Sequence, residues 1–118
     1  MRHRVILNWM GEDIETLEDL LRPGLRAVCI GVNPAPASVA VGHYYQGRLG
    51  QRFFKRLHCA DVIPEVPGWE DNVAFANSIG FTDIVKRPTA NAGELSRAEF
   101  EYGEVFLRES SNDSVQHA

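Results

Sequence analysis

Long apolar runs are missing from this chain: nothing comes near the roughly 18 consecutive apolar residues of a membrane span. Met1-Arg-His-Arg4 leads into an apolar stretch too short for a secretory signal. Cysteine is scarce. Cys29 and Cys59 make neither a disulfide framework nor a paired ligand spacing, and a four-cysteine iron–sulfur site is out of reach. These absences point to a cytoplasmic chain in a reducing compartment, with no membrane partner, no metal and no cofactor. Glycine-rich phosphate fingerprints are lacking too, which argues against a nucleotide-cofactor enzyme. There is no internal repeat. At 118 residues the chain is long enough for one domain with a real core.

Excess positive charge is also absent, since the net charge is −4. Its distribution is uneven. Gly42 to His58 holds four basic residues (Arg48, Arg52, Lys55, Arg56) and no acidic one. Asn91 to Ala118 holds six acidic residues against two basic, which alone equals the net charge. A local basic stretch suits phosphate contacts, although a solvated helix face has the same pattern.

What is present is an alternation of helical and strand-like segments. A helix is expected over residues 13–21, acidic in its opening turns and stopped by Pro23-Gly24. A strand follows over 26–32, then a loop rich in Gly, Pro and Ala over 33–49. Phe53, Phe54 and Leu57 give the stretch 50–58 an apolar helical face. Residues 64–68 are turn-rich, 69–79 read as helical with Gly80 as the cap, and 81–85 read as a strand. Ser96-Arg-Ala-Glu99 fits a capping box opening a helix to about residue 108. Helices alternating with strands imply an α/β fold around a parallel sheet. The domain is expected over 1–108, with 109–118 a polar tail lacking apolar periodicity.

The most informative stretch is Ala27-Val-Cys-Ile-Gly-Val-Asn-Pro34, followed by Gly42-His-Tyr-Tyr45. An apolar run of strand length stops at Gly31, and Asn33-Pro34 follows at once. It reads as a buried strand opening at its carboxyl end into a loop, where open α/β sheets bind ligands. Gly31 allows close backbone approach, and Pro34 biases Asn33 towards an extended conformation that aims its amide outward. An Asn before Pro is also an ordinary turn former.

These residues, with Gln51-Arg-Phe-Phe-Lys55, resemble the first motif of the mismatch-specific uracil-DNA glycosylases. That motif runs Gly-Ile-Asn-Pro-Gly, then a Gly-rich loop with an aromatic residue, then Asn-Arg-Phe-Trp. A second block, Gly80-Phe-Thr-Asp-Ile-Val-Lys-Arg-Pro-Thr89, resembles the family's Gly-Val-Thr-Lys-Leu-Val-Asp-Arg-Pro-Thr. The resemblance spans about residues 16 to 108. Ala35 stands where the family has Gly, Phe54 where it has Trp, and one extra residue separates Tyr45 from Arg52. The family's later Asn-Pro-Ser-Gly-like block, which enters the DNA minor groove, has no counterpart, so the chain reads as lacking the C-terminal third.

The resemblance implies a three-layer glycosylase-like sandwich around a short parallel sheet, incomplete here. It also implies hydrolysis of the N-glycosidic bond of uracil, thymine or a damaged pyrimidine mispaired with guanine in double-stranded DNA. Asn33 would position the attacking water. Gly31, Val32, Pro34, Ser38, Gly42, His43 and Tyr45 would line the base pocket, Tyr45 by stacking, with Tyr44 the near alternative. Backbone N–H groups near Val32 and from Gly42 to Tyr45 would hold the base's carbonyl oxygens. Arg48, Arg52 and Lys55 would contact phosphates, and Arg87 and Thr89 would support the pocket loop. The alternative is a weak or inactive α/β module that binds a base, a nucleotide or a partner protein.

Overall fold

The structure, a computed structural model, describes residues 2–64 and 68–116, with side-chain environments through Glu109. The chain begins with an antiparallel hairpin, β1 (Arg4–Trp9) and β2 (Glu12–Leu17). Its two-residue turn, Met10-Gly11, takes positive φ at both positions (51° and 89°), the type I′ geometry that matches strand twist. The helix expected over 13–21 is therefore not formed. The acidic residues that suggested a helix start lie on β2 instead, where Asp13 and Glu15 meet Asn8 and Arg4 of β1.

Strand β3 (Ala27–Gly31) pairs in parallel with β4 (Ile79–Asp83), Gly31 opposite Asp83. The connection between them carries three helices: α1 (Pro36–Val41), α2 (Arg48–Cys59) and α3 (Glu70–Ala76). A short helix thus interrupts the loop expected over 33–49, started by Pro36 and closed by Gly42 in the left-handed region (φ 87°). A single 3-10 turn (Ala92–Glu94) precedes α4 (Arg97–Gln116). The Ser96/Glu99 capping box forms as expected, each residue's backbone N–H donating to the other's side chain. Helix α4 runs on to Gln116, so residues 109–116 of the stretch read as a polar tail continue the helix, while the side chains after Glu109 and the last two residues lie outside the described residues.

Gly80 is not a cap. It sits inside β4, where a Cβ would lie 2.5 Å from the Leu20 carbonyl oxygen. Leu20 and Phe81 exchange backbone hydrogen bonds of 2.8 and 3.0 Å, so β4 is flanked on both edges and wholly buried. Strand β3 is different. The apolar run read as a buried strand lies at an open edge, with Val28, Ile30 and Val32 exposed. The core is built from Leu17, Leu20, Tyr44, Phe54, Ile79 and Phe81, with Val39, Ile63 and Ala74 around them. Among the described residues the architecture is α/β: a parallel pair, an antiparallel pair and four helices.

Helix α4 docks on the backbone just beyond β4. A Cβ at Gly103 would fall 1.9 Å from the Ile84 carbonyl oxygen, so only glycine lets the helix come this close. The same docking places Arg87 against Glu99, its Nε and Nη2 donating to the two carboxylate oxygens at 2.6 and 3.1 Å. The Arg87 hydrogen bonds hold the Glu99 carboxyl down to about 2. A depressed carboxylate stabilises the fold above its ordinary value near 4.5 and loses that contribution as pH falls towards 2. Glu99→Gln should lower the melting temperature at pH 7, and the gap to the parent should close between about pH 4.5 and 2. A gap that is constant across that range would mean the pair contributes nothing through its charge.

Candidate functional site

Parallel register brings the carboxyl ends of β3 and β4 level, with Gly31 beside Asp83. Beyond them the chain opens into a cavity of about 310 Å³, lined by Asn33, Pro34, Ser38, Tyr45, Arg48 and Asp83 among others. Its place is the one that open α/β sheets use for ligands. Its size is at the small end of ligand pockets, which run from about 300 to 1,000 Å³.

Asn33 is half-buried and firmly oriented. Its Nδ2 donates to the Arg87 carbonyl at 2.9 Å and to Thr89 Oγ1 at 2.8 Å, using both amide hydrogens. Thr89 Oγ1 in turn donates to the Asn91 carbonyl at 2.9 Å. The amide orientation follows from this pattern, and it leaves Oδ1 as an acceptor with no protein partner among the described residues. Arg87 and Thr89 thus support the Asn33 loop, and the Arg87–Glu99 pair ties that support to α4.

The two adjacent tyrosines differ. Tyr44 is 1% exposed, stacks on Phe81 (ring centroids 5.3 Å apart) and donates its hydroxyl to the Glu18 carbonyl. Tyr45 is half-buried, lines the cavity, and meets Phe53 and Phe81 edge-on at 5.3 and 5.7 Å. Its φ of 56° is a strained conformation for an aromatic residue, the kind that clusters at ligand sites. Gly50, in the first turn of α2, makes room: a Cβ there would lie 2.3 Å from the Tyr45 carbonyl oxygen.

Gly42 and His43 do not reach the cavity. The backbone N–H groups of both donate to the Ser38 carbonyl, and that of Tyr44 donates to Asp71 Oδ2. Of the loop donors expected to hold a base, only that of Tyr45 is not spent in this way among the described residues. The His43 ring is fully buried, stacked on Trp69 at 4.1 Å, and its Nδ1 bonds Asp71 Oδ1 at 2.8 Å. Ser38 lines the cavity, but its Oγ accepts the Gln46 N–H. Val32 is exposed, its carbonyl accepting from the Val85 N–H. Gly42 and His43 thus shape the loop, while Ser38 keeps its hydroxyl hydrogen at the cavity.

His3, His43 and Asp71 are the one group among the described residues whose donor atoms gather closely enough for a metal, within 4.8 Å of one another. Most of those atoms already have hydrogen-bond partners, His43 Nε2 alone being buried without one among the described residues. Asp71 accepts from His43, Tyr44 and Asn72, and His3 bonds Asn72 and lies 3.7 Å from Asp71. The cluster pins the Gly42–Tyr45 loop to α3 and to the N-terminal strand.

Asp83 is the site residue that sequence reasoning missed. It is 3% exposed, and burial, outweighing the nearby Lys86, pushes its carboxyl up to about 7. Burial also raises Tyr45, with Asp83 adding to it. The carboxyl leans over Gly31, where a Cβ would lie 2.3 Å from Asp83 Oδ1. The available signal was an acidic residue at the end of the strand Ile79-Gly-Phe-Thr-Asp83, at the place where the resembling family segment has Lys.

Basic residues continue from the cavity mouth along α2. Arg48 lies at the mouth, and Arg52, Lys55 and Arg56 are exposed on a shallow groove of the same helix. No helix among the described residues is long and apolar enough to cross a membrane. No family model matches the chain.

Proposed function

We propose that this chain is a uracil-DNA glycosylase of the mismatch-directed kind, with a glycosylase-like arrangement of its parallel pair and helices. The observation that carries the reading is Asn33, its amide hydrogens both anchored and its Oδ1 left open at a cavity at the carboxyl ends of two parallel strands. An enzyme that cuts the bond between a base and its sugar must first take the base out of the stack, and a mispaired base costs least to extract. The flipped pyrimidine would occupy the cavity against Tyr45. Asn33 Oδ1 would accept a hydrogen bond from a water and hold it for attack on the sugar carbon as the base departs. The strip Arg48, Arg52, Lys55 and Arg56 would take the phosphates on either side, as expected for double-stranded DNA.

The second reading is a module that binds a base, a nucleotide or a partner protein without cutting. It is favoured by the loop after Val41, where the Gly42 and His43 N–H groups are both taken by the Ser38 carbonyl and leave few donors for a departing base. A binding and excision assay on a duplex with one guanine·uracil mispair separates the two: abasic sites support the enzyme, binding without them the module.

Neutralising Arg52 and Lys55 together should weaken DNA binding whatever the sequence. The slope of log affinity against log salt should fall by about one unit per lost phosphate contact. An unchanged slope would make this strip a merely solvated helix face.

A further inference from the structure

A water held by Asn33 alone has nowhere to send its proton, because a neutral amide cannot accept one. The cavity contains a group that can. The Asp83 carboxyl ends β4 across from Gly31, faces the same cavity as Asn33, and is only 3% exposed. Among the described residues no hydrogen bond reaches its carboxyl oxygens. The neighbouring cation does not neutralise it. Lys86 Nζ gives its three hydrogens to Asp19 Oδ1 (2.6 Å), Thr82 Oγ1 (3.0 Å) and the backbone oxygen of Asp83 (2.6 Å). A buried carboxyl without a partner costs stability wherever it sits. Gly31 leaves the space it needs, and any side chain there would displace it.

We propose that Asp83 is a second catalytic residue of this site, the general base for the water that Asn33 positions, an inference that rests on the glycosylase reading. In the step itself, the water oxygen bonds to the sugar carbon and its proton passes to an Asp83 carboxylate oxygen. The bond between that carbon and the base breaks, and its electron pair leaves with the base nitrogen. The base anion takes a proton from solvent, and Asp83 returns its own to solvent. No other reactant is needed.

The groups facing Asp83 set when it can act. They are Asp19, between β2 and β3; Lys86, beyond β4; Tyr44 and Tyr45, from the loop before α2; and Arg48, at the cavity mouth. With the carboxyl titrating at about 7, excision should rise about tenfold per pH unit below that value and level off above it. Folding should respond in the opposite direction. A carboxyl raised above its ordinary 3.8 favours the native state while protonated, and that contribution is lost as pH rises through about 7.

The test compares the full chain with its Asp83→Asn variant, using single-turnover excision from a guanine·uracil duplex and from single-stranded uracil DNA between pH 5 and 9, with melting curves at each pH. Asp83→Asn should be slower by roughly 10²–10⁴-fold at pH 8 and should lose the slope below pH 7. It should also melt higher than the parent at pH 8, with the advantage vanishing near pH 4. A residue that serves packing alone would give the reverse melting shift and would leave the pH profile in place. Where Asn is not tolerated, Asp83→Ser removes the carboxyl with less volume and repeats the comparison. A variant that keeps the parent's rate and slope overturns the role of Asp83 and leaves the glycosylase reading standing. A parent chain that excises nothing at any pH overturns both.

Discussion

Asn33→Ala should abolish uracil excision while leaving affinity for a mispaired duplex within a few fold of the parent. The expectation follows from what the substitution removes and what it keeps. Gone is Oδ1, the acceptor left open at the cavity by the two anchoring bonds of Nδ2. Kept are the Arg48-to-Arg56 strip and the Tyr45 ring, which would supply binding. Losing a group that acts only on the reacting water lowers turnover and spares affinity. A loss of roughly 10²-fold or more is the scale expected when a positioned polar group is removed from such a site. Thr89 Oγ1 and the Arg87 carbonyl lose a partner in the variant, so a small drop in melting temperature should accompany it. Undiminished turnover would remove Asn33 from the mechanism.

Asp71→Ala should be the most damaging change to the fold, by about 3 kcal/mol or more in an unfolding titration, because it breaks a buried charged network. Asp71 is fully buried and accepts from His43 Nδ1, the Tyr44 N–H and the Asn72 N–H, each at 2.8 Å. Alanine leaves those buried donors without a partner, and an unsatisfied buried donor costs about 1–3 kcal/mol. For a domain with only about 5–15 kcal/mol in reserve the loss is severe. Excision should fall with it, since this cluster fixes the loop that presents Tyr45. Near-normal stability would mean that the loop is held by Tyr44 packing on Phe81 and not by the carboxylate.

The parallel pair, α2, α4 and its capping box were legible because each carries a local signal of its own. Apolar strand-length runs, the Phe53/Phe54/Leu57 face and the Ser96/Glu99 spacing need no distant partner to be recognised. The hairpin was not legible. Met10-Gly11 lacks the Asn or Asp that usually announces a type I′ turn, and Glu12, Asp13 and Glu15 look like a helix start when read without β1 beside them. Strand β3 read as buried because its residues are apolar, yet burial depends on what lies beyond its outer edge.

Within the site, Asn33 and Tyr45 fall at one cavity as sequence order suggests, since a strand end and the loop after it stay together; Arg48, read as a phosphate contact, also lines it. His43 was misplaced for the opposite reason. Its role is decided by Asp71 and Trp69, which lie far along the chain and meet it only after folding. Asp83 went unnoticed because nothing local distinguishes it; what matters is that Lys86 is fully occupied and Gly31 leaves it room.

The most direct test of the central claim is single-turnover excision by this 118-residue chain on three substrates: uracil opposite guanine, uracil opposite adenine, and uracil in single-stranded DNA. The account predicts formation of abasic sites in the mispaired and single-stranded substrates, and much less opposite adenine, where a well-paired base costs more to extract. Absence of abasic sites from all three, with or without DNA binding, would contradict it.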